Sequence, residues 1–200
     1  MKGGERDRSV VVVRALEPSL AGDFLRFFDH QRGPAFADNP EWATCYCQFY
    51  HTPRLIDWAA RGGDDNRAAM TGRMLAGEME GFLAYDQAAT GGQAEVVGWL
   101  NAQPRSKLLH CFERMRLAPT ESDVPDYQSA QVVCFVVHPQ WRRRGVARAL
   151  LDAACESLTR RGFATVEGYP FKSGDSEDAT DHYHGPLSMF LDAGFEITRD

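Results

Sequence analysis

The sequence lacks three features that would place a protein in a membrane, outside the cell or on nucleic acid. Its longest strongly apolar run, Val10 to Val13, is far shorter than the ~18 residues that span a bilayer. Residues Met1 to Arg8 are charged and carry no apolar stretch or cleavage site of a signal peptide. Excess positive charge is also absent, because 22 basic residues face 28 acidic ones. We therefore expect a cytoplasmic protein that uses neither a membrane nor nucleic acid as its main partner.

A disulfide framework and a domain linker are missing as well. The chain has five cysteines, at positions 45, 47, 111, 134 and 155. An odd number without a secretory signal predicts reduced thiols in a reducing compartment. No repeat, low-complexity tract or linker composition separates two apolar halves, and 44% hydrophobic residues is typical of globular proteins. We predict one domain over residues 1–200.

Apolar periodicity predicts alternating strands and helices, and hence an α/β fold with a central sheet flanked by helices. The predicted strands are Ser9–Leu16, Gly81–Asp86, Ala94–Gln103, Gln131–His138, Phe163–Tyr169 and Phe195–Thr198. The predicted helices are Leu20–Gln31, one from an Asn66 N-cap to Met79, Arg105–Arg116, Arg143–Arg161 and one that ends near Ala193. Thr90–Gly91–Gly92 indicates a hairpin, whereas the strand–helix–strand unit after Gln131 implies a parallel pair.

The junction from His138 to Ala147 is the most informative segment. Gly145 allows a ligand to approach the backbone, and the helix that follows begins with amide groups that have no partner within the helix. Arg142, Arg143 and Arg144 stand at that positive helix end, where side-chain cations are unfavourable by ~0.3–1 kcal/mol each without an anion. This arrangement predicts an anion site.

This junction resembles the acyl-CoA-binding motif of the GNAT (Gcn5-related N-acetyltransferase) superfamily, Arg/Gln-x-x-Gly-x-Gly/Ala. Arg142, Gly145 and Ala147 match it, and the segment Phe190–Phe195 is similar to the closing aromatic-x-x-x-Gly-Phe element. Trp99 after Val97–Gly98, and the Trp42 region, are similar to a poorly characterised bacterial branch. The resemblance implies a GNAT fold, a mixed sheet with a parallel strand pair splayed around an acyl-CoA site, and acetyl-CoA as co-substrate.

The resemblance also implies which residues hold the cofactor. The motif would bind the CoA pyrophosphate, and the preceding strand would pair with the pantetheine arm. The residues implied for this role are Val136, Val137, Arg142, Arg143, Arg144, Gly145, Val146, Ala147 and Arg148. His184 stands where many relatives place an asparagine that bonds the pantetheine or an ordered water.

The catalytic residues are less clearly marked. Many relatives use a tyrosine four residues before Gly-Phe as the acid, but that position here is Phe190, whose ring has no proton to donate. Tyr183 is our preferred acid, because a phenol keeps its proton at pH 7; it is equally compatible with packing under the CoA arm. Glu167 is the candidate base, and its alternative is a structural carboxylate at a strand end.

The cysteine-rich segment between the first two predicted helices is predicted to line the acceptor pocket. Trp42, Cys45 and Tyr46 are the residues that we place there, since aromatic residues interleave with the cysteines. A zinc site is disfavoured because one residue, rather than two to four, separates Cys45 from Cys47, so we predict no metal. An acyl-accepting cysteine and a cationic acceptor drawn to the acidic loop Asp175–Asp181 stay open.

The predicted function is an N-acetyltransferase that moves acetyl directly to a small-molecule amine in a ternary complex. The alternatives are a non-catalytic acyl-CoA sensor and a thiol- or metal-dependent protein. The family usually has two strands after Gly-Phe, whereas only Phe195–Thr198 follows here. An unpaired edge would favour pairing, so we also predict a homodimer.

Overall fold

The computed structural model describes residues 11–86, 94–117, 124–170 and 183–198. Its sheet has five strands in the order β1-β2-β3-β4-β5. They are β1 (Val11–Ala15), β2 (Phe82–Asp86), β3 (Val96–Pro104), β4 (Ser129–Val137) and β5 (Thr165–Gly168). Neighbouring strands are antiparallel except β4 and β5, which are parallel. The predicted mixed sheet with one parallel pair is confirmed, while the predicted turn at residues 90–92 lies outside the described residues.

Helices pack on both faces of this sheet. They are α1 (Ala21–Phe28), α2 (Gly63–Leu75), α3 (Cys111–Met115), α4 (Val146–Arg160) and α5 (Leu187–Asp192). In the described ranges, none is long and apolar enough to cross a membrane. The prediction that Asn66 caps α2 is wrong: Asn66 lies within the helix, where its amide donates to the Thr44 carbonyl at 2.9 Å and its oxygen accepts from Arg61. These bonds join α2 to the segment before it. The buried Asn66 side chain therefore stabilises tertiary packing and does not cap the helix.

Two apolar layers enclose the sheet. On one face, Phe24 and Phe28 of α1 pack in edge contacts on Trp99 of β3, with ring centroids 4.9 and 6.4 Å apart. On the other face, the buried side of α4 packs on β2 and β3. Gly98 allows this close approach, since a Cβ there would lie 2.7 Å from Val146 Cγ1. The first turn of α4 is therefore held against the centre of the sheet.

The pairing of β3 with β4 contains one irregularity, next to the stretch of β4 that lines the cavity of the candidate active site. Asn101 pairs with Cys134, but the next residue, Ala102, pairs with Val132, so Val133 is an extra residue on β4. A bulge of this kind bends a strand and increases its twist. It redirects β4 just before the stretch Cys134–Val137.

The predicted last strand is wrong. Residues 195–198 form no strand, because the chain folds back after α5 and the Phe195 amide donates to the Phe190 carbonyl at 3.1 Å. The Phe195 ring packs at right angles on Phe190, with centroids 5.1 Å apart. Burial of this aromatic pair replaces the strand, and β5 forms one edge of the described sheet. The predicted helix over 105–116 is also shorter, since only α3 is α-helical there.

Gly168 of β5 provides a test of how α5 is seated. A Cβ at Gly168 would lie 2.2 Å from Phe190 Cε1, so we expect Gly168→Ala to lower the free energy of unfolding by about 1–3 kcal/mol. The matched control is Gly72→Ala in α2, where no atom lies within 4 Å of the added methyl. That control should raise stability by about 0.5–1 kcal/mol. Urea unfolding measures both, and equal stabilities would contradict the packing described.

Candidate active site

The site forms where β4 and β5 separate. The two strands pair from Ser129 and Thr165 as far as Val132 and Gly168, and β4 then continues without β5 beside it. A cavity of about 810 Å³ lies against this open stretch. Part of the open edge is covered by the chain before α5, since the Phe135 amide donates to the Tyr183 carbonyl at 2.6 Å. The splayed parallel pair predicted from the resemblance is therefore present.

One cavity brings together two groups of residues that are far apart in sequence. One end is formed by β4 and the start of α4, and includes Val136, Val137, Arg142, Arg143, Gly145, Val146, Ala147 and Arg148. The other end is formed by the segment between α1 and α2 and by the chain before α5, and includes Phe36, Trp42, Cys45, Cys47, Phe49, Tyr50, Trp58 and Tyr183. The first group consists of residues predicted to hold the cofactor, without Arg144 and His184, and the second includes Trp42 and Cys45 of the predicted acceptor pocket but not Tyr46.

The turn into α4 has the backbone shape of an anion site. Arg143 and Gly145 both have left-handed backbone conformations, with φ of 60° and 85°. Gly145 immediately precedes α4, where the amides of the first turn have no acceptor within the helix. These amides and the helix dipole make the cavity end electropositive.

The arginines of this turn have different surroundings. Arg142 forms a fork with the Asp38 carboxylate, at 2.5 and 3.0 Å, and its Nε donates to the Val137 carbonyl at 3.4 Å. Arg144 lies over the Trp141 ring and does not line the cavity. Arg143 and Arg148 do line it, with Arg148 also bonded to Asp152 at 2.7 Å. Arg142 thus braces the loop against the preceding segment, while Arg143 and Arg148 face the cavity.

The opposite end of the cavity is walled by aromatic rings. Trp42 meets Tyr183 edge to face, with centroids 5.1 Å apart, and Phe49 meets Trp58 in the same way at 5.3 Å. Glu41 is the acidic side chain among the described lining residues. The acidic loop Asp175–Asp181 lies outside the described residues.

His184 is buried beside the cavity rather than in its lining. Its Nε2 lies 3.0 Å from the Tyr50 hydroxyl, and its ring stacks obliquely near Tyr183. Burial lowers the pKa of His184 to about 4 and raises the pKa of Tyr50 well above its ordinary value. Both groups are therefore neutral at pH 7, and His184 positions the aromatic wall.

Glu167, our predicted base, is engaged elsewhere. Its carboxylate forms an ion pair with the buried Arg105 and accepts a hydrogen bond from the Tyr169 hydroxyl at 2.8 Å. It does not line the cavity. These contacts match the alternative of a structural carboxylate, which ties β5 to the segment after β3.

Tyr46 also lies away from the predicted pocket. It is fully buried between α1 and the sheet, and its hydroxyl accepts from the His30 amide at 3.0 Å. Its backbone is left-handed, with φ of 45°, and it does not line the cavity, whereas its neighbours Cys45 and Cys47 do. Phe190 is likewise a core residue, against Phe135 and Phe195.

Three further residues of this region, Cys134, Asn101 and Gln103, had no predicted role in the site. Cys134 joins Cys45 and Cys47 in the cavity lining. Asn101 and Gln103 are fully buried and follow Trp99 at every second position of β3, so all three share a face. Amides repeated at period two in a buried strand were the available signal. Among the described residues, no group of three or more histidine, cysteine or acidic side chains is placed to hold a metal.

Comparison with known proteins identifies the family. The model of the acetyltransferase (GNAT) family matches residues 41–169, which include β4, the turn and most of the cavity lining. The chain therefore belongs to the GNAT acetyltransferase family. No curated protein matches the chain significantly.

Solved structures show the same fold at low sequence identity. An aminoglycoside N-acetyltransferase, AAC(6')-Iy, in complex with CoA matches with 14% identity and a TM-score of 0.53, over 96% of this chain and 91% of that chain. The same enzyme with a bisubstrate analogue, CoA-S-monomethyl-acetylneamine, matches with 16% identity and a TM-score of 0.51, over 96% and 95%. A GCN5-related N-acetyltransferase from Ralstonia eutropha JMP134 matches with 13% identity and a TM-score of 0.50, over 96% and 95%.

Acid should destabilise the wall of the site through its buried histidines. Burial lowers the pKa of His184 to about 4 and that of His51 to about 3. Below about pH 6.5 the unfolded chain takes up protons at both positions and the folded chain does not. The free energy of unfolding should then fall by up to about 1.4 kcal/mol per pH unit for each histidine.

Urea unfolding at pH 7 and pH 5 measures this loss. The control is His184→Gln, which cannot be protonated and should lose less stability than the wild type between the two pH values. A variant with the same pH dependence as the wild type would contradict the assignment to His184.

Proposed function

We propose that this protein is an acetyl-CoA-dependent N-acyltransferase that transfers acetyl directly to a small-molecule amine in a ternary complex. The observation that carries the proposal is the cavity itself, which joins the electropositive start of α4 to an aromatic chamber past the open stretch of β4. A donor and an acceptor can therefore meet in one enclosed space. The family membership and the CoA complex of the AAC(6')-Iy neighbour agree with this proposal.

The residues at the α4 end fit an acyl-CoA. The first-turn amides after Gly145, with Arg143 and Arg148, offer donors and positive charge to a pyrophosphate. The edge of β4 past Phe135, up to Val137, would offer backbone groups to the amide-containing pantetheine arm, as an added strand would. The acyl group would then reach the chamber beside Trp42 and Tyr183.

The chain's own residues supply orientation and proton transfer. A cavity that holds both the acyl-CoA and the amine in the right orientation lowers the entropic cost of bringing them together. Tyr183 lines the chamber and is our proposed acid, which gives its proton to the departing CoA thiolate. Exclusion of water by the aromatic wall would protect the thioester from hydrolysis.

The amine specificity follows from the chamber wall. An acceptor with an aromatic or aliphatic body would bury that body against Trp42, Phe49 and Trp58. The AAC(6')-Iy neighbours act on aminoglycosides by their names, so a cationic sugar belongs in any acceptor screen. The position of β5 at one edge of the described sheet also supports the proposed homodimer, which the molar mass in solution tests.

A second candidate is a protein that binds acyl-CoA without turnover. It is favoured by Phe190, which is 1% exposed and carries no hydroxyl where many relatives have a tyrosine. Release of CoA in the presence of amines separates the two candidates, whereas binding alone does not.

Binding of acetyl-CoA should depend on the N-terminal end of α4. We expect Arg148→Ala to weaken binding by about 10-fold or more, since a charge-assisted hydrogen bond contributes about 1.5–3 kcal/mol. The matched control is Arg160→Ala at the other end of α4, where Arg160 pairs with Glu156 as Arg148 pairs with Asp152. Calorimetric titration measures both, and equal effects of the two variants would contradict the placement of the site.

Turnover should depend on Tyr183. A panel of phenethylamine, spermidine and kanamycin, followed by CoA release, tests the transferase and its acceptor class. For the amine that reacts, Tyr183→Phe should lower kcat by about 100-fold and leave acetyl-CoA binding unchanged, because only the hydroxyl is removed. Wild-type protein that binds acetyl-CoA but acetylates no amine would favour the sensor, and an unchanged kcat in Tyr183→Phe would exclude Tyr183 as the acid.

A further inference from the structure

The proposed reaction needs a group that removes a proton from the acceptor amine. Glu167 is held by Arg105 and Tyr169 outside the cavity lining. Cys47, by contrast, lines the acceptor end of the cavity, next to Cys45 and to Cys134 of β4. Only 2% of the residue is exposed, so Cys47 is shielded from bulk solvent.

Two buried donors converge on the Cys47 sulfur. The indole Nε1–H of Trp99 donates to Sγ at 3.3 Å, and the side-chain amide of Asn101 donates to the same atom at 3.4 Å. A neutral thiol is a weak acceptor, whereas a thiolate accepts charge-assisted bonds that are roughly twice as strong. Two fully buried donors aimed at one sulfur therefore suit its ionised form.

The Asn101 amide is held in this orientation by a chain of hydrogen bonds. Gln103 donates to the Asn101 side-chain oxygen at 2.7 Å, which leaves the Asn101 nitrogen facing Cys47. The Gln103 nitrogen also lies 3.2 Å from His51 Nε2. Burial lowers the pKa of His51 to about 3, so this ring is neutral and accepts from Gln103 at pH 7. Gln103 is thus held between His51 and Asn101, and the Asn101 amide donates to the sulfur.

In the part of the chain that the structure describes, the titratable groups that interact directly with Cys47 are acids that keep their protons. They are Cys45 on the same segment, Cys134 on β4 and Tyr50 on the turn before α2. Desolvation raises the pKa of Cys45 to about 12, and the bond to Cys47 raises that of Cys134 well above its usual range. Hydrogen bonds from Cys134, Trp99 and Asn101 lower the pKa of Cys47 against the opposing effect of burial. Cys47 is therefore the first of these groups to ionise.

We infer that Cys47 is the catalytic base, a thiolate that takes the proton from the ammonium group of the acceptor. The inference rests on the proposed function and deepens it. It combines the position of Cys47 at the acceptor end of the cavity with the two donors that Trp99 and Asn101 aim at its sulfur.

The proton balance of the reaction closes with this assignment. The ammonium group gives one proton to the Cys47 thiolate, which later releases it to solvent. The amine lone pair then forms the bond to the acetyl carbon, and the carbon–sulfur bond of the thioester breaks. The CoA sulfur takes a proton from Tyr183, and Tyr183 regains one from the nitrogen that has become an amide.

The first test detects the thiolate without turnover. Wild-type protein is alkylated with iodoacetamide over a range of pH, and the rate at Cys47 is followed by peptide mass spectrometry. We expect a midpoint below pH 9, the ordinary value for a thiol. Trp99→Phe keeps an aromatic side chain, though a smaller one, and removes the indole N–H donor, so its midpoint should lie higher. A Cys47 that reacts only at or above pH 9, or not at all, overturns the inference.

The second test measures its role in turnover, with acetyl-CoA and the fastest amine of the panel. Cys47→Ser should lower kcat at pH 7 by about 100-fold or more, because a hydroxyl does not ionise there, and the residual rate should rise at higher pH. Cys155→Ser on α4, outside the cavity lining, is the matched control and should match the wild type.

Three outcomes of this test would overturn the role of Cys47. They are a wild-type rate in Cys47→Ser, the same acidic limb of the pH profile in both proteins, or a gain of 42 Da on Cys47 with acetyl-CoA alone, which would make it a nucleophile. If the wild-type protein acetylates no amine, the proposed function is overturned, and so is the role of Cys47 as the base. The alkylation result distinguishes that failure, because it reports the thiolate independently.

Discussion

The separation of β4 from β5 after Val132 is the constraint on which the rest of the site depends. A parallel pair that continued to Val137 would fill the space that the cavity occupies. The bulge at Val133 bends β4 at this point, and the short β5 ends at Gly168, where the Phe190 ring packs. Over its second half, β4 thus has no β5 beside it. The part of that edge past Phe135 is left for a ligand.

The two ends of the cavity are stabilised by different interactions, in keeping with different tasks. The start of α4 is set by close packing of Val146 on Gly98, which fixes the helix amides against the sheet. The acceptor end is set by aromatic contacts and by buried hydrogen bonds of Tyr50 with His184 and of Asn101 with Cys47. The first arrangement presents positive charge, and the second presents an apolar wall with one polarised sulfur.

The fold was predictable from the sequence because its elements follow local periodicity. The Val-rich run of β4, the apolar face of α4 and the turn at Gly145 lie close together in the chain, and the motif that they form places the electropositive end of the cavity. The errors arose where tertiary contacts override local pattern. Asn66 is inside α2 because it bonds to Thr44 and Arg61, and Phe195 leaves the sheet to pack on Phe190.

The sequence by itself therefore determined the α/β class, the order of most strands and helices, the GNAT resemblance and the anion-binding turn. Only the tertiary structure decided which side chains share the cavity. It engages Glu167 with Arg105 and Tyr169, buries Tyr46 beside His30, and brings Cys47 to Cys134, 87 positions further along the chain, and to Trp99 and Asn101. Except for Glu167 with Tyr169, these contacts join residues far apart in sequence, and no spacing along the chain encodes them.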